Sequence, residues 1–148
     1  MTMFNCIVMG AAGRDFHDFL SFFASHAEFR VCCFTAEQIP FISERSFPAE
    51  LAGPAYRDDI PIVPEDELES MIRAHDVDFV FLSYSDLSHD EVMHRACRVQ
   101  AAGASFALLG PRHTEIAADV PVISVTASRT GAGKSPISQM IARHLLDS

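Results

Sequence analysis

Apolar runs of four to seven residues, bounded by glycine, serine and aspartate, alternate along this chain with stretches in which apolar residues recur every third or fourth position. The run Phe4 to Met9 stops at Gly10, with Gly13 close behind, as a buried parallel strand does when it enters a tight turn. Asp15 then reads as an N-cap, and Phe16, Phe19, Leu20 and Phe23 lie at helical spacing, which predicts a helix with an aromatic inner face. A second strand is expected over 29–35. Residues 60–63 fit either a short strand or extended chain. Over 64–75 the pattern is helical: Pro64 suits a first turn, Glu65, Asp66 and Glu67 favour the positive end of the helix dipole, and Leu68, Met71 and Ile72 share a face. That reading explains the acidic cluster without a metal. A third strand follows at 78–84. Ser88 and Glu91 have capping-box spacing and open a helix to Ala102 with Val92, Ala96 and Val99 inward and Gly103 closing it. A fourth strand is expected over 105–109, ending at Gly110-Pro111-Arg112.

Between 36 and 56 the pattern weakens, because Pro40, Pro48 and Pro54 each remove a backbone donor. The apolar Ile39, Phe41, Ile42, Phe47 and Leu51 of this excursion should cover the core or a partner subunit. Strands alternating with helices predict an α/β fold, a Rossmann-like domain with a parallel sheet over 1–115, whose ligands would lie beyond the strands' carboxyl ends. Those ends carry Gly10, Gly13 and Arg14, then Ser83, Ser85 and Asp86, then Arg112, and two arginines among glycine and hydroxyl groups suit an anionic ligand. Residues 113–120 read as a linker. A buried strand expected over 121–126 opens a second, truncated domain over 116–148.

The 148 residues are 49% hydrophobic, enough for a folded core, and the formal net charge of -9 supplies no basic stripe for a nucleic-acid backbone. No apolar run is long enough to span a bilayer. Together these predict a cytoplasmic protein with neither nucleic acid nor membrane as partner. Cys6, Cys32, Cys33 and Cys97 form no C-x-x-C pair and read as small buried hydrophobes in a reducing compartment.

The segment Arg129-Thr130-Gly131-Ala132-Gly133-Lys134-Ser135 lies between the expected strand and a helix carrying Ile137, Met140, Ile141 and Leu145 on one face. In a P-loop, glycines let amides surround phosphate oxygens, a lysine neutralises the β and γ phosphates, and a hydroxyl ligates magnesium. The pattern departs from the full form at Ser128, where a glycine would stand, while Pro136 is tolerated in a first helical turn. The chain ends soon after Ser135, before a second strand could supply an acidic magnesium partner, so a nucleotide site confined to it is expected to be unfinished and the chain inactive alone. The first glycine turn lacks the G-x-G-x-x-G form, with Ala12 and Asp15 at the second and third glycine positions, and Glu37 is a doubtful ribose contact; tight-turn structure explains it better than NAD binding. His89 and His94 are not spaced as zinc ligands, and no G-x-S-x-G elbow accompanies Ser85 or Ser88.

Several stretches taken together resemble the cyclic 2,3-diphosphoglycerate synthetase family and its bacterial relatives described as GTPases. They are Ile7-Val8-Met9-Gly10-Ala11-Ala12-Gly13-Arg14-Asp15-Phe16-His17, Phe34-Thr35-Ala36-Glu37-Gln38-Ile39-Pro40, Pro48-Ala49-Glu50-Leu51-Ala52-Gly53-Pro54, Tyr84-Ser85-Asp86-Leu87-Ser88-His89, Glu91-Val92-Met93-His94, Leu108-Leu109-Gly110-Pro111-Arg112 and the loop from Arg129 to Ser135. The resemblance implies the N-terminal portion of an ATP-dependent enzyme that closes a phosphoanhydride within a small phosphorylated substrate, working with magnesium as a homodimer. It implies Lys134 at the nucleotide phosphates, Ser135 on the metal, Gly131 and Gly133 shaping the loop, and Arg129 reaching phosphate. ATP and GTP are both open. The other readings are a non-catalytic Rossmann-type module binding a nucleotide or phosphorylated anion through Gly13, Arg14, Ser85 and Arg112, and a dimerisation platform.

Overall fold

The computed structural model describes residues 2–10, 13–37, 45–84, 86–127 and 132–146, and the chain separates into two compact units, Met1–Ile116 and Ala117–Ser148. The first is built on a six-stranded sheet. Its central strand β1 (Phe4–Met9) sends Cys6 and Val8 into one apolar layer and Ile7 and Met9 into another, which is why the run is apolar at consecutive positions. On one side of β1 lies β2 (Phe29–Ala36), then β4 (Ile60–Pro64) and the two-residue β3 (Ser46–Phe47); on the other lie β5 (Phe79–Leu82) and β6 (Ser105–Ala107). All pairings are parallel except β3 with β4.

The strand order reverses at β1. The chain leaves it through α1 (Arg14–Ser21) to β2 on one side, and β5 fills the other side, so a crevice mouth opens where β1 and β5 end. The ends are level: Met9 pairs with Leu82, the Ser83 amide donates to the Met9 carbonyl at 2.8 Å, and the Gly10 amide donates to the Thr35 carbonyl at 2.9 Å.

One face of the sheet is covered by α1 and a 3-10 turn at Phe23–Ser25, whose Phe19, Phe22 and Phe23 pack with Phe34, Phe47 and Phe81. The Phe16 ring stacks on Phe47 with centroids 5.1 Å apart. Leu20, expected inward, is exposed: the buried stripe runs 15, 18, 19, 22, and one residue beyond Phe19 turns about 100° away. The opposite face is covered by α3 (Leu68–Ala74) and α4 (His89–Ala102), which bring Leu68, Ile72 and Val99 onto Ile7, Met9, Val80 and Leu82. The capping box is formed as its spacing predicts, with the Glu91 carboxylate accepting from the Ser88 amide at 2.7 Å.

The excursion supplies β3 and α2 (Ala49–Ala52), with Phe47 buried and Leu51 exposed; Ile39, Phe41 and Ile42 lie outside the described residues. The cysteines need one correction. Cys6 and Cys33 are buried, and desolvation pushes both thiols up to about 12, but Cys97 is exposed on the outer side of α4. A register shift after Cys6 leaves Cys32 without a β1 partner, so it is half-buried.

In the second unit, α6 (Lys134–Leu146) is formed and none of its described residues is buried. The strand expected over 121–126 is not present: these residues carry no regular structure, and Val122 and Ile123 are exposed. A strand needs a neighbour to satisfy its amides and carbonyls, and no other strand exists among the described residues of this unit. No helix of the described residues is long and apolar enough to cross a membrane.

Candidate functional site

The crevice mouth gathers four of the residues expected at the strands' carboxyl ends. Gly13, with φ 109°, is the residue from which α1 starts, displacing Asp15 from the N-cap place expected for it. A side chain on residue 13 would be strained at that angle, and glycine is not. Asp15 instead lies in the first turn, 1% exposed, and its Oδ1 accepts the Gly13 amide at 2.9 Å. One turn on, Asp18 is 2% exposed, and its Oδ2 accepts from the Ser83 hydroxyl at 2.7 Å across the ends of β1 and β5. Its Oδ1 is buried and has no hydrogen-bond partner among the described residues. Arg14 reaches the same carboxylate, with Nε 3.9 Å from Oδ2, and half of its side chain is exposed. Gly10, Gly13, Arg14 and Ser83 are thus brought together, by two carboxylates absent from the expected set. Ser85 lies outside the described residues. Asp86 and Arg112 are exposed, and among the described residues no hydrogen bond or ion pair joins either to this cluster.

A dinucleotide in this fold rests its pyrophosphate on the amides of the first helix. Asp15 and Asp18 do not fit that group, because a carboxylate already holds the Gly13 amide and a second is buried behind it.

A second polar cluster lines the carboxyl ends of β2, β4 and β5. Arg95 of α4, 6% exposed, places Nε 2.9 Å from Glu65 Oε1 and donates from Nη2 to Glu37 Oε2 at 3.3 Å, with its guanidinium 5.5 Å from the Tyr84 ring centre. The Tyr84 hydroxyl accepts the Glu37 amide at 3.1 Å and donates to Glu65 Oε2 at 3.3 Å. Burial, together with the Glu65 carboxylate, raises the Tyr84 phenol above its ordinary range, so it remains a donor. Arg98 grips Glu69 with Nε and Nη2 at 2.7 and 3.0 Å and holds the Glu69 carboxyl below the usual carboxylate range. Glu65 is therefore the charged partner of Arg95, beyond the helix-terminus role expected of it. A signal existed: positions 92, 95 and 99 share one helical face, and an arginine in that apolar stripe needs a buried acid.

A shallow cleft of about 350 Å³ lies between α1 and α5 (Pro111–Thr114), lined by Arg14, His17, Asp18, Pro111, Thr114 and Glu115. The His17 Nε2–H donates to the Thr114 carbonyl at 2.7 Å and clasps α5 to α1.

In the second unit the described part of the glycine loop is Ala132, Gly133, Lys134 and Ser135; Arg129, Thr130 and Gly131 lie outside it. Gly133 has φ 86°, α6 begins at Lys134, and the Ile137 amide points back to the Gly133 carbonyl at 3.5 Å. A left-handed glycine at a helix start, followed by an ammonium and a hydroxyl, fits a phosphate and magnesium group in kind. Among the described residues no cluster of three or more His, Cys, Asp or Glu could hold a metal ion.

No protein-family profile matches the chain. A Rex-family repressor crystal structure (RSP) superposes with a TM-score of 0.53 at 17% identity, covering 98% of this chain and 62% of that one, a likeness of fold. Over 139 residues, 94% of its length, the chain is 51% identical to arginine synthetase ArcE of Thermococcus kodakarensis, of which it spans 31%.

Proposed function

We propose that the chain is the opening part of an ATP-dependent synthetase, with the loop before α6 as the nucleotide-phosphate element and the sheet unit as a scaffold. The observation that carries this reading is the 51% identity with an arginine synthetase over nearly the whole chain, beside a glycine-lysine-serine loop that has its own chemical rationale. Making arginine means building a guanidinium. From a ureido precursor a carbonyl oxygen must be replaced by nitrogen, and such an oxygen leaves only once activated. ATP, when bound, supplies the phosphoryl group for that activation. Lys134 would neutralise charge on the outer phosphates, Ser135 would hold the metal through its hydroxyl, and the amides around Gly133 would orient the chain of phosphates.

The resemblance carried by the residues themselves favours a second substrate on the same machinery, a diphosphorylated acid closed into a cyclic phosphoanhydride. Under both readings the enzyme is a cytoplasmic homodimer, with GTP as an alternative nucleotide. They differ in which substrate makes ATP turnover run.

Lys134 is the only lysine of the chain, so within this segment an amine-directed reagent, read by peptide mapping, reports on it and the N-terminus alone. In a protein carrying this chain with the remainder found in the relative, MgATP is expected to shield Lys134 from labelling. Lys134→Ala is expected to weaken MgATP binding by roughly tenfold or more, about 1.4 kcal/mol, in calorimetry. Turnover with a ureido amino acid and ammonia, against turnover with 2,3-diphosphoglycerate, separates the two substrates. Absence of magnesium-dependent ATP affinity, together with an indifferent Lys134→Ala variant, removes the proposal.

A further inference from the structure

Doubly wound sheets receive dinucleotides at a fixed place: pyrophosphate on the amides that open the first helix, ribose hydroxyls on an acid just after the second strand. The first unit has each of those elements in position. Gly10 and Gly13 follow β1, α1 starts at Arg14, and Glu37 follows β2 directly. Each position is engaged from within. At the turn, the Asp15 carboxylate accepts the Gly13 amide, and Asp18 adds a second buried carboxylate one turn behind, tied to β5 through Ser83. At the end of β2, the Glu37 carboxylate is joined to Arg95, and its amide is donated to the Tyr84 hydroxyl. Arg14, the cation at the mouth, is turned to Asp18.

We infer that this unit keeps the dinucleotide-binding topology but excludes phosphorylated ligands from its switch point, because the Asp15 carboxylate already holds an amide of the phosphate position, with the Asp18 carboxylate buried one turn behind, and the acid after β2 serves as an arginine's counter-ion. A phosphate approaching the turn meets like charge held in a buried site, where water screens it little, and it finds the Gly13 amide already bonded. The two observations are independent, since one concerns the β1–α1 turn and the other the end of β2 and α4. Nucleotide chemistry in this protein is thereby assigned away from the fold's usual position. The inference does not rest on the proposed function, and it would stand if the loop before α6 bound nothing.

The test is equilibrium binding of NADH, ADP and inorganic pyrophosphate to the whole chain in a Lys134→Ala background, which silences the other candidate site. No binding up to millimolar ligand is expected. Adding Asp15→Asn and Asp18→Asn removes both charges while leaving oxygens to accept from Gly13 and Ser83, and pyrophosphate or NADH affinity is expected to rise by roughly tenfold or more. Circular dichroism checks that each variant is folded, and Asp15→Asn alone replaces the combination if that one is not. Micromolar NADH or ADP binding in the Lys134→Ala background overturns the inference, as does a folded charge-removed variant that binds no better than its parent. Binding lost with Lys134→Ala in an otherwise unaltered chain supports both this inference and the assignment of nucleotide to the later loop.

Discussion

Among the described residues two left-handed glycines open helices, and the turns that they make end in opposite chemistry. After Gly13, at φ 109°, come Arg14 and Asp15; after Gly133, at φ 86°, come Lys134 and Ser135. The backbone device is the same, a left-handed glycine that lets amides face outward from a helix start. The residues after the glycine decide its use. The first turn meets a buried carboxylate of its own, while the second carries an ammonium and a hydroxyl suited to phosphate and magnesium. A glycine pattern therefore reports a turn, and the charges one and two residues later report the ligand that the turn can receive.

The surroundings differ as much. Around the first turn, aromatic rings close the core and Phe19 has no exposed surface, whereas around the second Met140 is 65% exposed and none of the described residues of α6 is buried. The largest expected effect tests that contrast. Phe19→Ala should lower the stability of the sheet unit by about 3–5 kcal/mol in urea unfolding, and Met140→Ala should change it by no more than about 0.5 kcal/mol. Equal effects would show that Met140 is packed as tightly as Phe19. Next in size, Arg95→Ala takes from buried Glu65 the nearer of its two guanidinium partners and leaves Arg98 at 3.6 Å and the Tyr84 hydroxyl, at a cost of about 2 kcal/mol read from thermal unfolding, with MgATP affinity unchanged. A loss of nucleotide binding without loss of stability would move the Arg95 cluster from scaffold to site. Ser88→Ala removes the cap of α4 and should cost about 1 kcal/mol by the same measurement.

The smallest expected effect concerns acid. Arg98 depresses the Glu69 carboxyl, and Ser88 depresses that of Glu91. A carboxyl whose folded-state pKa lies below its unfolded value contributes stability above the unfolded value, ~4.3 for glutamate, and that contribution fades as pH falls through the folded value. Since Glu91 is exposed and the Glu69 side chain partly so, the Glu69 pair should account for about 0.5 kcal/mol of the acid limb. Replacing Arg98 by Gln should flatten the limb by that amount in unfolding measured between neutral pH and pH ~3. A steeper limb in that variant would refute the assignment.

Much of the sheet unit was legible because its signals are local. A strand ending at glycine, a Ser-x-x-Glu box and apolar residues at helical spacing depend only on near neighbours, and β1, β2, β5, α3 and α4 stand close to where those patterns predict. The candidate site was legible in its glycines, Arg14 and Ser83. It was not legible in Asp15 and Asp18, although their positions on the Phe19 stripe marked them as inward, because an aspartate near a helix start has a ready local explanation as a cap. The strand expected over 121–126 failed for the opposite reason: its apolar pattern is strand-like, but pairing requires a partner that local pattern does not supply.

By itself the amino-acid sequence determined where the chain turns, which faces are apolar, and that one loop sets an ammonium and a hydroxyl against a helix start. Those properties arise from steric limits and hydrophobic periodicity acting over a few residues. Only the tertiary structure decided that Ser83 meets Asp18 across 65 positions of chain and that Arg95 meets Glu37 across 58. Such pairs are set by parallel register and strand order, which bring distant segments to one edge of the sheet. The charge that a ligand would meet at the first glycine turn is therefore a property of the assembled sheet.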